Sequence, residues 1–164
     1  MIPASGAVRA ARARDLDRLA GLFTLGLEHH VGVERFRLRR DAEDRARTWL
    51  ADWLAMREAP LLVFESRADG EDAGQLLGLC TARLLTRPAI FEETVRGEIE
   101  HLVVRPEARR RGIGRVLAGA ALEALRGRGA TRVEIQVARD NAEGQAFWRA
   151  LGFAPVMDVL ERAL

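Results

Sequence analysis

Arg105-Pro106-Glu107-Ala108-Arg109-Arg110-Arg111-Gly112-Ile113-Gly114-Arg115 packs five arginines and two glycines between an alternating apolar run, residues 98–104, and a segment of helical periodicity. From Ile113 the apolar positions Ile113, Val116, Leu117, Ala120, Ala121, Ala124 and Leu125 follow the i, i+3, i+4, i+7 series, so a helix begins there. A strand therefore leads through an arginine-rich turn into a helix N-terminus. Such an end presents unpaired backbone N–H groups and the positive pole of the helix dipole, and glycines let the backbone curl close to an anion. The ligand expected from this chemistry carries a phosphate or pyrophosphate. The stretch is neither a G-x-G-x-x-G fingerprint nor a G-x-x-x-x-G-K-[ST] loop. An ordinary arginine-rich surface is the bland alternative. A nucleic-acid patch is the other, although these arginines sit in one turn and no aromatics interleave with them.

Upstream, residues 8–11 read as a first strand, and Asp15-Leu16-Asp17 opens a helix with Leu16, Leu19, Ala20, Phe23 and Leu27 on one face. A second helix is expected over about residues 41–57 before Pro60, with Trp49 and Trp53 as packing residues. Residues 61–65 and 76–85 form a hairpin, and residues 98–104 a fourth strand. Downstream, Gly127 and Gly129 end the long helix, residues 132–137 alternate as a strand, Asn141 caps a last helix, and residues 155–160 read as a final strand. The fold class is α/β (α+β): one domain over residues 1–164, with a mixed, mostly antiparallel sheet of about six to seven strands flanked by about four helices.

Composition removes whole chemistries. All 26 basic residues are arginine, tyrosine is absent, and Ser5 and Ser66 are the only serines. Without lysine there is no phosphate-loop lysine and no Schiff base, and neither serine lies in a G-x-S-x-G context. The single cysteine, Cys80, forms no internal disulfide, and Arg9, Arg12, Arg14 and Arg18 interrupt any apolar leader, so a reducing cytoplasm is expected. No run approaches the roughly 18 to 20 apolar residues that span a membrane. The pI of 9.8 overstates the basicity, because net charge is only +2 and little titrates between Cys80 and arginine. His29 and His30 are adjacent and diverge on a helix, so no metal site is expected. Cys80 reads as a small core residue, and His101 as a packed or surface histidine.

Residues 98–117 resemble the coenzyme A binding motif of the GCN5-related N-acetyltransferase (GNAT) family, Q/R-x-x-G-x-G/A, which Arg109-Arg110-Arg111-Gly112-Ile113-Gly114 fills. Residues 133–153, with Asn141 and Phe147-Trp148-Arg149-Ala150-Leu151-Gly152-Phe153, resemble the family's second conserved block, and Val8-Arg9-Ala10-Ala11 with Asp15-Leu16 its first strand and helix.

The resemblance implies a sheet whose fourth and fifth strands splay apart around acetyl-CoA. It assigns the pantetheine arm to the backbone of Leu102, Val103 and Val104, and the pyrophosphate to Arg109, Arg110, Arg111, Gly112, Ile113, Gly114 and Arg115. A further coenzyme contact falls on Asn141, which a plain helix cap explains equally well. Many relatives place a tyrosine where this chain has Trp148, which is then expected to wall the coenzyme arm. Glu98 and Glu100 alternate onto the face of Leu102 and Val104, with His101 on the opposite face, although a bulge would change which one points inward. A carboxylate on this strand often serves the family as general base, and Glu100, nearer the acetyl position, is the choice. The implied reaction is direct acetyl transfer to a primary amine by a monomer or homodimer, without metal, membrane or nucleic acid. A catalytically silent acyl-CoA sensor and an arginine-rich nucleic-acid module are the alternatives. Glu28, Glu92 and Glu93 fall in regions that line the acceptor side in the family, and the acceptor's identity lies in the least patterned third of the chain.

Overall fold

The alternating segments pair into one sheet with its strands in chain order: β1 (Gly6–Ala10), β2 (Leu61–Ser66), β3 (Leu76–Thr86), β4 (Val95–Val104) and β5 (Val133–Glu134). This computed structural model describes residues 5–30, 37–56, 59–67, 73–160 and 162. Strands β1 to β4 are antiparallel, whereas β5 runs parallel to β4 because a helix crosses over between them. Helices α1 (Leu16–His30) and α2 (Ala42–Ala55) cover one face, and α3 (Ile113–Arg126) and α4 (Ala142–Arg149) the other. The alternation of β3 supplies both cores. Leu79 packs with Leu19, Leu22, Leu50 and Val103 on the α1/α2 side, while Cys80 and Ala82 pack with Ile99, Leu117 and Leu125 on the α3 side.

Two expectations about the sheet need correction. Five strands form among the described residues, not six to seven, and β5 is limited to two residues. The β4/β5 ladder consists of Gly97↔Val133 and Glu98↔Glu134, after which the strands part and β4 continues to Val104 without that neighbour. Residues 155–160 form no strand, and Val156, Met157, Val159 and Leu160 are exposed. A strand pattern becomes a strand only where a neighbouring edge accepts its hydrogen bonds.

The start of α1 is fixed by a buried ion network. Asp15, with no exposed side-chain surface, takes Arg9 at 2.7 and 3.1 Å, Arg18 at 2.6 Å and the Arg12 backbone N–H at 2.9 Å. Arg9 also reaches Glu65 at 2.8 Å, so one guanidinium joins β1, β2 and the entry to α1. Its hydrogen bonds hold the Asp15 carboxyl at about 2, against an ordinary 3.8. A depressed carboxylate contributes stability that is complete above its unfolded value and lost as pH falls through its folded one. That contribution amounts to about 2 kcal/mol. Thermal melts between pH 5 and 2 are therefore expected to fall more steeply in the wild type than in Asp15→Asn; parallel curves would contradict the assignment.

Further along, α1 touches β4 closely. A Cβ on Gly26 would lie 2.5 Å from the Val103 side chain, so glycine permits the contact that brings Phe23 over His101, ring to ring at 4.8 Å.

Candidate active site

Beyond Val104 the chain makes a 3-10 turn, Pro106–Ala108, anchored by buried Ala108, and then reverses into α3. The reversal uses left-handed backbone at Arg110 (φ 61°) and Gly112 (φ 84°). Gly112 caps α3, and the first helical bond runs from the Val116 N–H to its carbonyl at 3.1 Å. The amides of Ile113, Gly114 and Arg115 therefore precede any intrahelical acceptor. A Cβ at Gly112 would meet nothing within 4 Å, so the space before this helix end is open, and Arg110, Arg111 and Arg115 are exposed around it. Arg109 turns back instead, its Nε donating to the Val104 carbonyl at 3.3 Å.

Leu102, Val103 and Val104 lie on the part of β4 that β5 has left. Asn141 accepts a hydrogen bond from the Gly144 N–H at 2.8 Å, the geometry of a helix cap. Trp148 is 7% exposed and packs edge-on against Phe147 and Phe153, at 5.0 and 5.1 Å between centroids. Its indole is thus chiefly a core side chain.

The carboxylates do not sit where uniform alternation puts them. The β3/β4 register passes from Thr81↔His101 to Ala82↔Ile99, leaving Glu100 as the extra residue of a bulge. The bulge shifts the alternation by one. Ile99 and Leu102 pack on the α3 side, whereas His101, paired with Thr81, faces Phe23 and Trp49 on the α1/α2 side. Glu100 and His101 consequently line the same cavity, on the side opposite Leu102 and Val104. Glu100 Oε2 lies 4.0 Å from His101 Nδ1, and that nitrogen is 3.2 Å from Thr81 Oγ1. Arg83 holds both acids, at 2.7 Å from Glu98 and 2.7 Å from Glu100. Burial nevertheless pushes the Glu100 carboxyl above its usual range, outweighing the pull of Arg83. Glu98 does not line the cavity.

This cavity, of about 480 Å³, lies between α1, α2 and the bulge, with Phe23 and Trp49 as its apolar wall and Arg37, Arg39 and Arg45 among its lining. Neither Glu28 nor Glu92 lines it, and Glu93 is bound to Arg132 at 2.9 Å. Trp53 is a core residue, but Trp49 also faces the cavity. The side chains of His29 and His30 lie outside the described residues. Cys80 is fully buried, which pushes its thiol up to about 12. No helix of the described residues is long and apolar enough to cross a membrane.

Residues 25–153 match the sequence profile of the acetyltransferase (GNAT) family. Over 60 residues the chain is 48% identical to the mycothiol acetyltransferase of Beutenbergia cavernae, a match covering 37% of this chain and 20% of that protein. The chain thus aligns with only a fifth of that curated relative's length. A mutant of the BH1408 protein from Bacillus halodurans superposes with a TM-score of 0.81 at 22% identity, covering 96% of this chain and 99% of that one. The aminoglycoside N-acetyltransferase AAC(6')-Iy, in complex with CoA, superposes with a TM-score of 0.76 at 17% identity, covering 100% and 99%. At these identities the structural likeness concerns the fold.

Proposed function

The chain belongs to the GNAT acetyltransferase family, and from that premise we propose that it transfers the acetyl group of acetyl-CoA directly to a primary amine, with Glu100 as general base. The observation that carries the reading is the pairing of an open, arginine-flanked helix end with a β4 edge that β5 has left. The residues present fit the coenzyme. Exposed Arg110, Arg111 and Arg115 and the first amides of α3 suit a pyrophosphate, and Gly112 leaves the approach clear. Residues 102–104 would hold the pantetheine arm through their backbone, with Asn141 and half-buried Phe147 beside it and Trp148 backing Phe147 from the core. When bound, acetyl-CoA supplies an activated thioester.

Glu100 takes the proton of the attacking amine as the new C–N bond forms and the C–S bond breaks. The chain has no tyrosine to protonate the departing sulfur. A thiol pKa near about 8.5 makes the thiolate a tolerable leaving group without a side-chain acid. The rate is accordingly expected to rise with pH as Glu100 and the amine lose their protons, and then to level off. An alkaline limb that persists on changing the amine would reveal an acid among this chain's residues.

A panel of primary amines, each assayed with acetyl-CoA for free thiol, tests the reading. Amine-dependent thiol release supports it. Coenzyme binding without release would favour a silent sensor, and salt-sensitive RNA binding without coenzyme binding a nucleic-acid module. The chain acts, on this reading, as one domain over residues 1–164, in the cytoplasm, as monomer or homodimer.

A further inference from the structure

Resting on that reading of the site, we propose that the acceptor is a small amine that also carries an anionic group, a carboxylate or a phosphate, seated against Arg37, Arg39 and Arg45. The cleft beside Glu100, about 480 Å³ and open to solvent, has room for a small molecule. Its wall of Phe23 and Trp49, stacked at 5.0 Å between centroids, suits an apolar or aromatic body.

Its charge is uneven. Three guanidiniums line it against one carboxylate, Glu100, and that carboxylate is already paired with Arg83 at 2.7 Å. Arg37 has no carboxylate partner among the described residues. Asp41 accepts from the Nε of Arg39 at 3.0 Å and the Nε of Arg45 at 2.7 Å, so it fixes two guanidiniums side by side without using their terminal amines. A planar guanidinium fork fits a carboxylate or phosphate in a way that no neutral group matches. His101 is the other titratable group of the lining. Asp44 and Asp52 belong to the adjoining cleft, with Asp41, Arg45 and Trp49. An amine with several further positive charges would face Arg37, Arg39 and Arg45 in the same cleft as Glu100. The arginines are exposed, so the preference weakens as salt rises.

Four compounds on one scaffold test this: para-(aminomethyl)benzoate, its carboxamide, the corresponding phosphonate and the corresponding diamine. Each is titrated into coenzyme A-saturated protein and separately assayed for thiol release from acetyl-CoA. The benzoate or the phosphonate is expected to bind roughly tenfold tighter than the carboxamide, with the diamine weakest. Which of the two binds better identifies the anion. In the Arg37→Gln/Arg39→Gln double variant the ratio of anionic to neutral compound is expected to fall towards one. Equal binding, preference for the diamine, binding of none of the four, or a ratio unmoved in the variant overturns the inference. Discrimination in binding without thiol release from any of the four would overturn the assignment of such a compound as acceptor and leave only the anion preference of the site. Thiol release without discrimination would leave the transferase reading standing and remove this one.

Discussion

Glu100→Gln is expected to lower kcat by about 10² or more at neutral pH while leaving the affinity for coenzyme A almost unchanged. The amide keeps the size of the side chain and its oxygen can still accept from Arg83, but it has no basic oxygen with which to take a proton. The bulge turns Glu100 into the cavity, whereas Glu98, tied to the same Arg83, does not line it. Burial raises the Glu100 carboxyl, so it accepts a proton more readily than an exposed glutamate. Steady-state rates with coenzyme titrations run in parallel separate a lost base from a lost site. A larger loss in Glu98→Gln would transfer the role to that residue, and an unchanged rate in both would mean that the amine sheds its proton to water.

Gly112→Asp is expected to weaken coenzyme binding by roughly a hundredfold or more, because it sets a carboxylate in front of the amides and arginines that face the pyrophosphate. The backbone there is left-handed, at φ 84°, and an added Cβ meets no neighbour. Strain and charge can therefore be separated with Gly112→Asn, since asparagine tolerates that conformation and brings no charge. Asparagine should retain much of the affinity that aspartate loses. Equal losses in the two would place the effect on the backbone, and no loss in either would remove the loop from the coenzyme site.

How much of this was legible depended on whether the signal was local. The α3 face is periodic, and Ile113, Leu117, Ala121 and Leu125 are all fully buried, while Val116 of the same series is exposed. The arginine and glycine turn before it was legible for the same reason, because helix ends follow from backbone chemistry that a short window contains. Asn141 was legible as a cap, and Gly144 is its partner.

The bulge at Glu100 was not legible. It is a property of two strands in register, and nothing in Glu98-Ile99-Glu100-His101 alone distinguishes a regular strand from one that slips by a residue. Uniform alternation therefore puts His101 on the face opposite Glu100, although the two line one cavity. The same holds for Arg37, Arg39 and Arg45. Arg37 and Arg39 precede α2 and Arg45 lies on it, and only the fold gathers them beside Glu100. Residues 155–160 erred in the other direction, with a strand pattern that found no edge.

The most direct test is a calorimetric titration of coenzyme A into the wild-type chain, with thermal melts at the same ligand concentrations. One coenzyme is expected to bind per chain, to be displaced by acetyl-CoA, and to stabilise the fold by about 2.7 kcal/mol at a hundredfold excess over its Kd. Saturating coenzyme that produces neither heat nor a shift in melting temperature would contradict the assignment of the α3 loop, and with it the acetyl transfer built on that loop.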